Sequence, residues 1–214
     1  NAQNDQPALV FFSLIGNDVC SSHHEFDTMT PLDVFTQDVW SSLNYLDSSI
    51  APGSFVIAMG LVDGRALFNT VHAAIHPIGQ NYTDFYNFLN CVGTSPCWGW
   101  MNSNETVRDM TSAHAMLLNT AYQSIEKNQN FTNFKFKYYF MDAEQLISNY
   151  VSSGGNALDL IEPVDGFHPS QTFNSLISDD IWSYSAKEFP EMNIPTIPNN
   201  AAIIQQFGAA LNGD

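Results

Sequence analysis

A chain of 214 residues, 44% hydrophobic and 13% aromatic, holds enough apolar material for one α/β domain with its own core, and a disordered segment is excluded. Six Lys and Arg stand against 22 Asp and Glu, a formal net charge of -16. Phosphates of nucleic acid need clustered cations, so a nucleic-acid partner is excluded, as is adsorption to an anionic membrane by charge alone.

No apolar run is long enough to span a bilayer, and the start does not read as a signal peptide. Asn1 to Gln6 lead almost at once into an apolar run, an opening expected of a fragment, a processed chain or a truncated one. Ala8 to Ile15 (ALVFFSLI) reads as a strand buried on both faces, ending in the turn Gly16-Asn17-Asp18. Thr30-Pro31-Leu32-Asp33 announces a helix, with Thr30 as cap, Pro31 in the first turn and an acid three residues after the cap. Leu32, Phe35, Val39, Leu43, Leu46 and Ile50 then form one apolar stripe, stopped by Pro52-Gly53. Ser54 to Leu61 reads as the next buried strand.

Residues 70–104 lack clear periodicity and hold two cysteines, Pro77 and Pro96, so they are expected to form a long ordered insertion. Val107, Met110, His114, Leu117, Ala121 and Ile125 mark a further helix. Phe134 to Met141 is expected as a strand, Ala143 to Val151 as a helix ended by Gly154-Gly155. A turn-rich stretch, Glu162 to Pro169, precedes a helix striped by Phe173, Leu176, Ile177, Ile181 and Tyr184, and residues 190–214 are expected as a surface tail. Strands alternating with helices predict a parallel sheet with helices on its faces, and three strands read as the second half of a larger sheet.

Three sequons, at Asn81, Asn104 and Asn130, favour a secreted or lysosomal and vesicular protein. Cys20, Cys91 and Cys97 make an odd count, which in a secreted protein implies a free thiol or a bridge leaving the chain; three reduced thiols in a cytosolic protein are the alternative. Either Cys91 or Cys97 is expected to bond outside the chain while the other closes onto Cys20, with a local Cys91–Cys97 bridge as the competing arrangement.

Two motifs stand where α/β folds place ligands, at the C-terminal ends of strands. Asn17, fixed in its turn, could donate amide hydrogens to a developing oxyanion. Asp165, three residues before His168, could bond one ring nitrogen and orient the other to accept a proton from a hydroxyl nucleophile. His72 and His76 share an i, i+4 spacing that could ligate a metal, but no third ligand accompanies them and Pro77 ends any helix, so no metal site is expected; both are candidates for substrate contact or structure. Trp98 and Trp100, beside Met101, are candidates for an acyl-chain wall or, equally, for ordinary packing of an irregular loop. His23 and His24 could line a cleft or face solvent, and His114 reads as a hydrogen-bonded core histidine. Ser13 and Ser95 lack the sequence context of a nucleophile.

Gly16-Asn17-Asp18 and Asp165-x-x-His168 resemble the third and fifth conserved blocks of the SGNH hydrolases. LIGNDVC (Leu14–Cys20), VHAAIHPIGQ (Val71–Gln80), FLNC…SPCWGWMNSN (Phe88–Asn104) and LIEPVDGFHPS (Leu160–Ser170) resemble the acyloxyacyl hydrolase family of GDSL-type lipid esterases, and the similarity covers nearly the whole chain. The resemblance implies a three-layer α/β/α sandwich of flavodoxin-like strand order, with residues 1–214 as the C-terminal part of one domain. It implies a serine esterase that removes secondary acyl chains from lipid A of lipopolysaccharide, with some phospholipase activity. Carried over, Asn17 is an oxyanion donor, His168 the general base and Asp165 its orienting carboxylate. The nucleophilic Ser and a second oxyanion element, a Gly, would belong to an upstream segment. A saposin-like lipid-binding segment would be a further partner, bridged by preference through Cys91. No cofactor falls on this chain, and calcium, where used, would be held by upstream residues. The competing readings are a non-catalytic lipid- or glycan-binding relic of the fold, or an SGNH esterase acting on acetylated sugars.

Overall fold

The computed structural model describes residues 5–20, 26–192 and 199–207. Strands β1 (Leu9–Phe12), β2 (Ser54–Met59) and β3 (Phe134–Tyr139) form a parallel sheet in the order β1-β2-β3. The register pairs Val10 with Val56 and Val56 with Phe136. Alternation along each strand sends one set of side chains to each face. Val10, Phe12, Val56, Ala58, Phe134 and Phe136 pack under α2 (Leu32–Ser49) and α5 (Glu105–Asn128). Ile57, Met59 and Tyr139 pack under Ile181 and Tyr184 of α7 (Gln171–Glu188). The result is an α/β/α sandwich, because each crossover between parallel strands must return over a face of the sheet.

The short α1 (Gly16–Val19) follows β1, α3 (Arg65–Val71) follows β2, and α6 (Ala143–Ser152) follows β3. Several expectations change at this level. The apolar run Ala8–Ile15 contributes only four residues of strand, and among the described residues Phe11 is 40% exposed, so these cover that side of β1 only in part. Gly16-Asn17-Asp18 opens a single helical turn rather than a free turn. Pro31, not Thr30, is the N-cap of α2, without a side-chain capping bond; Thr30 is engaged elsewhere, its N–H donating to the Asp18 carbonyl at 2.9 Å. The insertion holds α4 (Tyr82–Cys91), capped by Asn81, whose side chain accepts from the Asp84 N–H. The tail includes α8 (Asn200–Phe207), while residues 193–198 and 208–214 lie outside the described residues.

The buried face of α5 is also rotated from the expected stripe. Ala115, Leu118, Tyr122 and Ile125 are buried, whereas Met110 and Leu117 are 49% and 44% exposed. The reason is polar: Ser112 and Asn119 lie on the buried face because each has a built partner. Asn119 accepts from the Leu61 N–H and donates to the Leu61 carbonyl, both at 2.8 Å. A buried amide so satisfied costs little, and it clamps the chain just after β2.

Cys20 is bonded to Cys97 across a sequence separation of 77, and Cys91 is an exposed free thiol. This excludes the local Cys91–Cys97 bridge. The bond ties the segment after β1 to the insertion. A loop of this length implies a stabilisation of about 4–5 kcal/mol by restriction of the unfolded chain. Peptide mapping of the isolated chain without reduction is expected to return Cys20 and Cys97 in one linked pair and Cys91 alone as alkylatable. Reduction is expected to lower the thermal midpoint. A linked Cys91–Cys97 peptide, or three alkylatable thiols, would contradict the fold.

Candidate active site

The loop from Ile161 to Ser170 is closed at its base by a bridge between Ile161 and Pro169 and by the Glu162 N–H donating to the His168 carbonyl at 2.9 Å. Two carboxylates organise its interior. Glu162 Oε2 accepts from the N–H groups of Val164 and Asp165, at 2.8 and 2.9 Å. Asp165 Oδ1 accepts from the N–H groups of Phe167 and His168, at 2.8 and 3.0 Å. The other oxygen, Oδ2, stands 2.7 Å from His168 Nδ1. With Nδ1–H donating to that oxygen, Nε2 carries the free lone pair, and the His168 side chain is 61% exposed. Gly166 makes the turn possible. Its φ is +65°, and a Cβ there would stand 2.6 Å from the Tyr82 ring.

The outside of the loop is held by the insertion. Tyr82 Oη donates to the Pro163 carbonyl at 2.9 Å, His76 Nε2 to the Val164 carbonyl at 2.8 Å, and Tyr86 Oη to the Gly166 carbonyl. Burial pushes both phenols up, with Glu162 and Asp165 adding to the effect at Tyr82 and Tyr82 and Asp165 at Tyr86, so both remain donors at neutral pH. His76 is 3% exposed, stacks on Phe85 at 3.9 Å, and accepts the Ile78 N–H at Nδ1. Neither ring nitrogen is left for a substrate. His72 is exposed, stacks on Phe68, and donates from Nδ1 to its own helix at the Phe68 carbonyl. Trp100 is 2% exposed and donates to Ser112 Oγ at 2.9 Å, so it is a core residue rather than an acyl wall; Trp98 is half-buried against Phe26. His114 Nε2 donates to the Thr30 carbonyl at 2.9 Å. His23 and His24 lie outside the described residues.

Sequence reasoning did not single out Tyr82 and Tyr86. Their spacing of four along α4 was the available signal, since it sets two aromatics on one helix face. Asp63 was also missed. It follows β2, accepts from Ser112 and Arg65, and burial pushing it up is outweighed by those bonds, which hold it below the ordinary carboxylate value.

Two helical elements separate His168 from β3, yet the loop returns to the C-terminal edge of the sheet. It closes one side of an apolar cavity of about 200 Å³, lined by Leu61, Val62 and Gly64 after β2, by Met141 and Ala143 after β3, and by Phe167 and His168. Asn17 follows β1 and therefore lies at the same edge. It is exposed and makes no hydrogen bond within the described residues. Its turn is fixed by Tyr122 Oη, which donates to the Leu14 carbonyl at 3.3 Å, and by the Cys20–Cys97 bond. Among the described residues no cluster of His, Cys, Asp or Glu could hold a metal ion. No described serine hydroxyl hydrogen-bonds His168.

Residues 1–181 match the GDSL-like lipase/acylhydrolase family. The chain is 38% identical over 210 residues to an acyloxyacyl hydrolase of Homo sapiens, which covers 95% of the chain and 36% of that protein. It is 36% identical over 211 residues to the acyloxyacyl hydrolase of Oryctolagus cuniculus and 36% identical over 214 residues to that of Mus musculus, in each case 37% of the relative. The chain thus spans a little over a third of the length of these relatives.

Burial pushes Asp165 up, but bonds from the Phe167 N–H, the His168 ring and the His168 N–H outweigh it and hold the carboxyl below its ordinary value. A depressed folded value stabilises the loop fully above the unfolded carboxylate's pKa, and that contribution is lost as pH falls through the folded value. In an NMR acid titration the Phe167 and His168 amides are expected to move together, with a midpoint below that of an unstructured Asp. A midpoint at or above the unstructured value would contradict the bonding. Tyr86→Phe, which removes one donor to the loop, is expected to cost about 1–3 kcal/mol by leaving the Gly166 carbonyl unpaired, read as a lowered unfolding midpoint.

Proposed function

We propose, for a chain that belongs to the GDSL-like lipase/acylhydrolase family, that it supplies the base, its orienting carboxylate and an oxyanion donor to a serine esterase acting on acyl-lipid esters. The observation that carries this reading is the Asp165–His168 pair, 2.7 Å apart, at the edge of an apolar cavity. A carboxylate on Nδ1 selects the tautomer with its lone pair on Nε2 and stabilises the imidazolium that forms when Nε2 takes a proton. The cavity suits a hydrocarbon chain and offers little to a sugar.

In the proposed mechanism the nucleophilic serine comes from a segment outside these 214 residues. His168 Nε2 takes the serine proton as its oxygen attacks the ester carbonyl. Asn17 donates its amide hydrogens to the oxyanion, and His168 then returns the proton to the departing alcohol. Water repeats the sequence on the acyl-enzyme. The substrate class follows the similarity to acyloxyacyl hydrolases: fatty acyl chains in secondary ester linkage on lipid A or a related lipid. Asp63 stands in the same cavity lining but is fully engaged by Ser112 and Arg65, and in this reading it shapes the cavity rather than reacting.

The reading extends to the protein's surroundings. Secretion, with glycan on at least one sequon, fits the exposed Asn104 and Asn130 better than Asn81, whose Nδ2 donates to Asp84 at 2.8 Å. The exposed thiol of Cys91 suits a bridge to a separate saposin-like segment. Calcium, where the enzyme uses it, would be held by upstream residues.

Two measurements test the proposal. Intact mass before and after glycosidase treatment of native material is expected to fall; an unchanged mass argues against secretion. The chain alone is expected to hydrolyse no acyl ester, and joined to the serine-bearing segment it is expected to do so. In that assembly His168→Ala should cost several orders of magnitude in kcat, and Asn17→Ala roughly 10²–10³-fold. Full activity with His168→Ala would end the reading.

A further inference from the structure

Between Ala66 and Asn104 the sequence carries one charged side chain, Asp84, although the whole chain stands at -16. The insertion is therefore a charge-poor island on an acidic molecule. Its loop at residues 74–80 is closed by a bridge between Ile75 and Asn81 and tied to the His168 loop by His76 on the Val164 carbonyl. Three aliphatic side chains protrude from this joined pair of loops: Ile75, Ile78 and Val164, at 67%, 65% and 66% exposure. Beside them runs a groove of about 520 Å³ lined by Ala74, Ile75, Pro77, Leu158 and Pro163, with Asp159 as its one charged lining residue.

We infer that this tip is a docking surface for the interfacial layer of a lipid aggregate, and that it seats the molecule with the His168 loop against the lipid. The inference rests on the esterase reading for its occupant. Charge favours the same occupant. Burying a charged side chain in hydrocarbon is costly, and the side chains that protrude here are Ile75, Ile78 and Val164, while Glu162 and Asp165 of the joined loop are turned onto backbone N–H groups. Position favours it too. Val164 belongs to the loop that carries His168, so a protein seated on the tip would crowd the approach to His168, whereas a lipid surface delivers substrate there. The remaining acidic surface opposes an anionic layer, so docking is to a zwitterionic one first, and salt should relieve the penalty of added anionic lipid.

The test is flotation of the full chain with phosphatidylcholine vesicles. Binding is expected, insensitive to salt. Ile75→Ser with Ile78→Ser should reduce the bound fraction about tenfold or more, since two aliphatic side chains lose their burial. Ile78→Trp should raise it, because indole favours the interface, and a misfolded variant would not show that gain. Tyr45→Ser, at a side chain 75% exposed on α2, should leave binding unchanged. Mixing in phosphatidylglycerol should weaken binding, and salt should restore it. Absence of vesicle binding, equal loss with Tyr45→Ser, or protection of residues 74–80 from hydrogen exchange only when a protein partner is added would each overturn the proposal. In the assembled enzyme the double variant should lose turnover of vesicle esters and keep that of a short water-soluble ester. An assembly that hydrolyses neither would end the esterase reading, while the flotation result would still decide the docking.

Discussion

A carbonyl oxygen that leaves regular structure must still find a donor, and in the His168 loop that requirement governs the site. Pro163, Val164 and Gly166 each direct a carbonyl at a side chain of the insertion, and Tyr82, His76 and Tyr86 meet them. The loop's own N–H groups are taken by Glu162 and Asp165. Donors outside and acceptors inside leave the backbone little freedom, and the His168 ring takes its orientation from a carboxylate that is itself held by two backbone bonds. The insertion, through α4 and His76, thus acts as a brace for a loop that has no regular structure of its own.

The same economy places the other half of the proposed site. Asn17 stands on one turn of helix, too short to hold itself. Its position comes from Tyr122 below, from the Thr30 N–H on the Asp18 carbonyl, and from the covalent tie of Cys20 to Cys97. Cys97, Trp100 and Ser112 then connect to Asp63 at the end of β2. Gly64 completes that connection, since a Cβ there would stand 2.1 Å from the Trp100 ring. Insertion, strand ends and proposed catalytic turns form one packed edge.

What could be read from the sequence follows the same division. The strands and the stripes of α2 and α7 are local apolar patterns, and Phe35, Val39, Leu43, Phe173 and Ile181 are buried as the spacing required. The Asp165–His168 contact was legible because three residues in a tight turn bring the groups within reach. The face of α5 was not, because Ser112 and Asn119 look like surface residues until Asp63 and Leu61 are known to meet them. Whether His76 was a substrate contact or a structural residue was not legible for the same reason: its partner, the Val164 carbonyl, is 88 residues away. The exposure of Phe11 among the described residues was hidden too, since an apolar run does not say how many neighbours will cover it.

The two margins of the sheet are unlike. On β3, Lys135 pairs with Glu191, and Lys137 with Glu126 and Glu188, so that margin is occupied by ion pairs. On β1, Phe11 is 40% exposed and Leu14 beyond it 68% exposed, and among the described residues no strand pairs with its outer side. Backbone donors and acceptors in such a row accept another strand readily, while charged margins refuse one. The sheet can therefore be extended in one direction and not the other. In the proposed assembly the β1 margin is therefore where a strand of the serine-bearing segment would add.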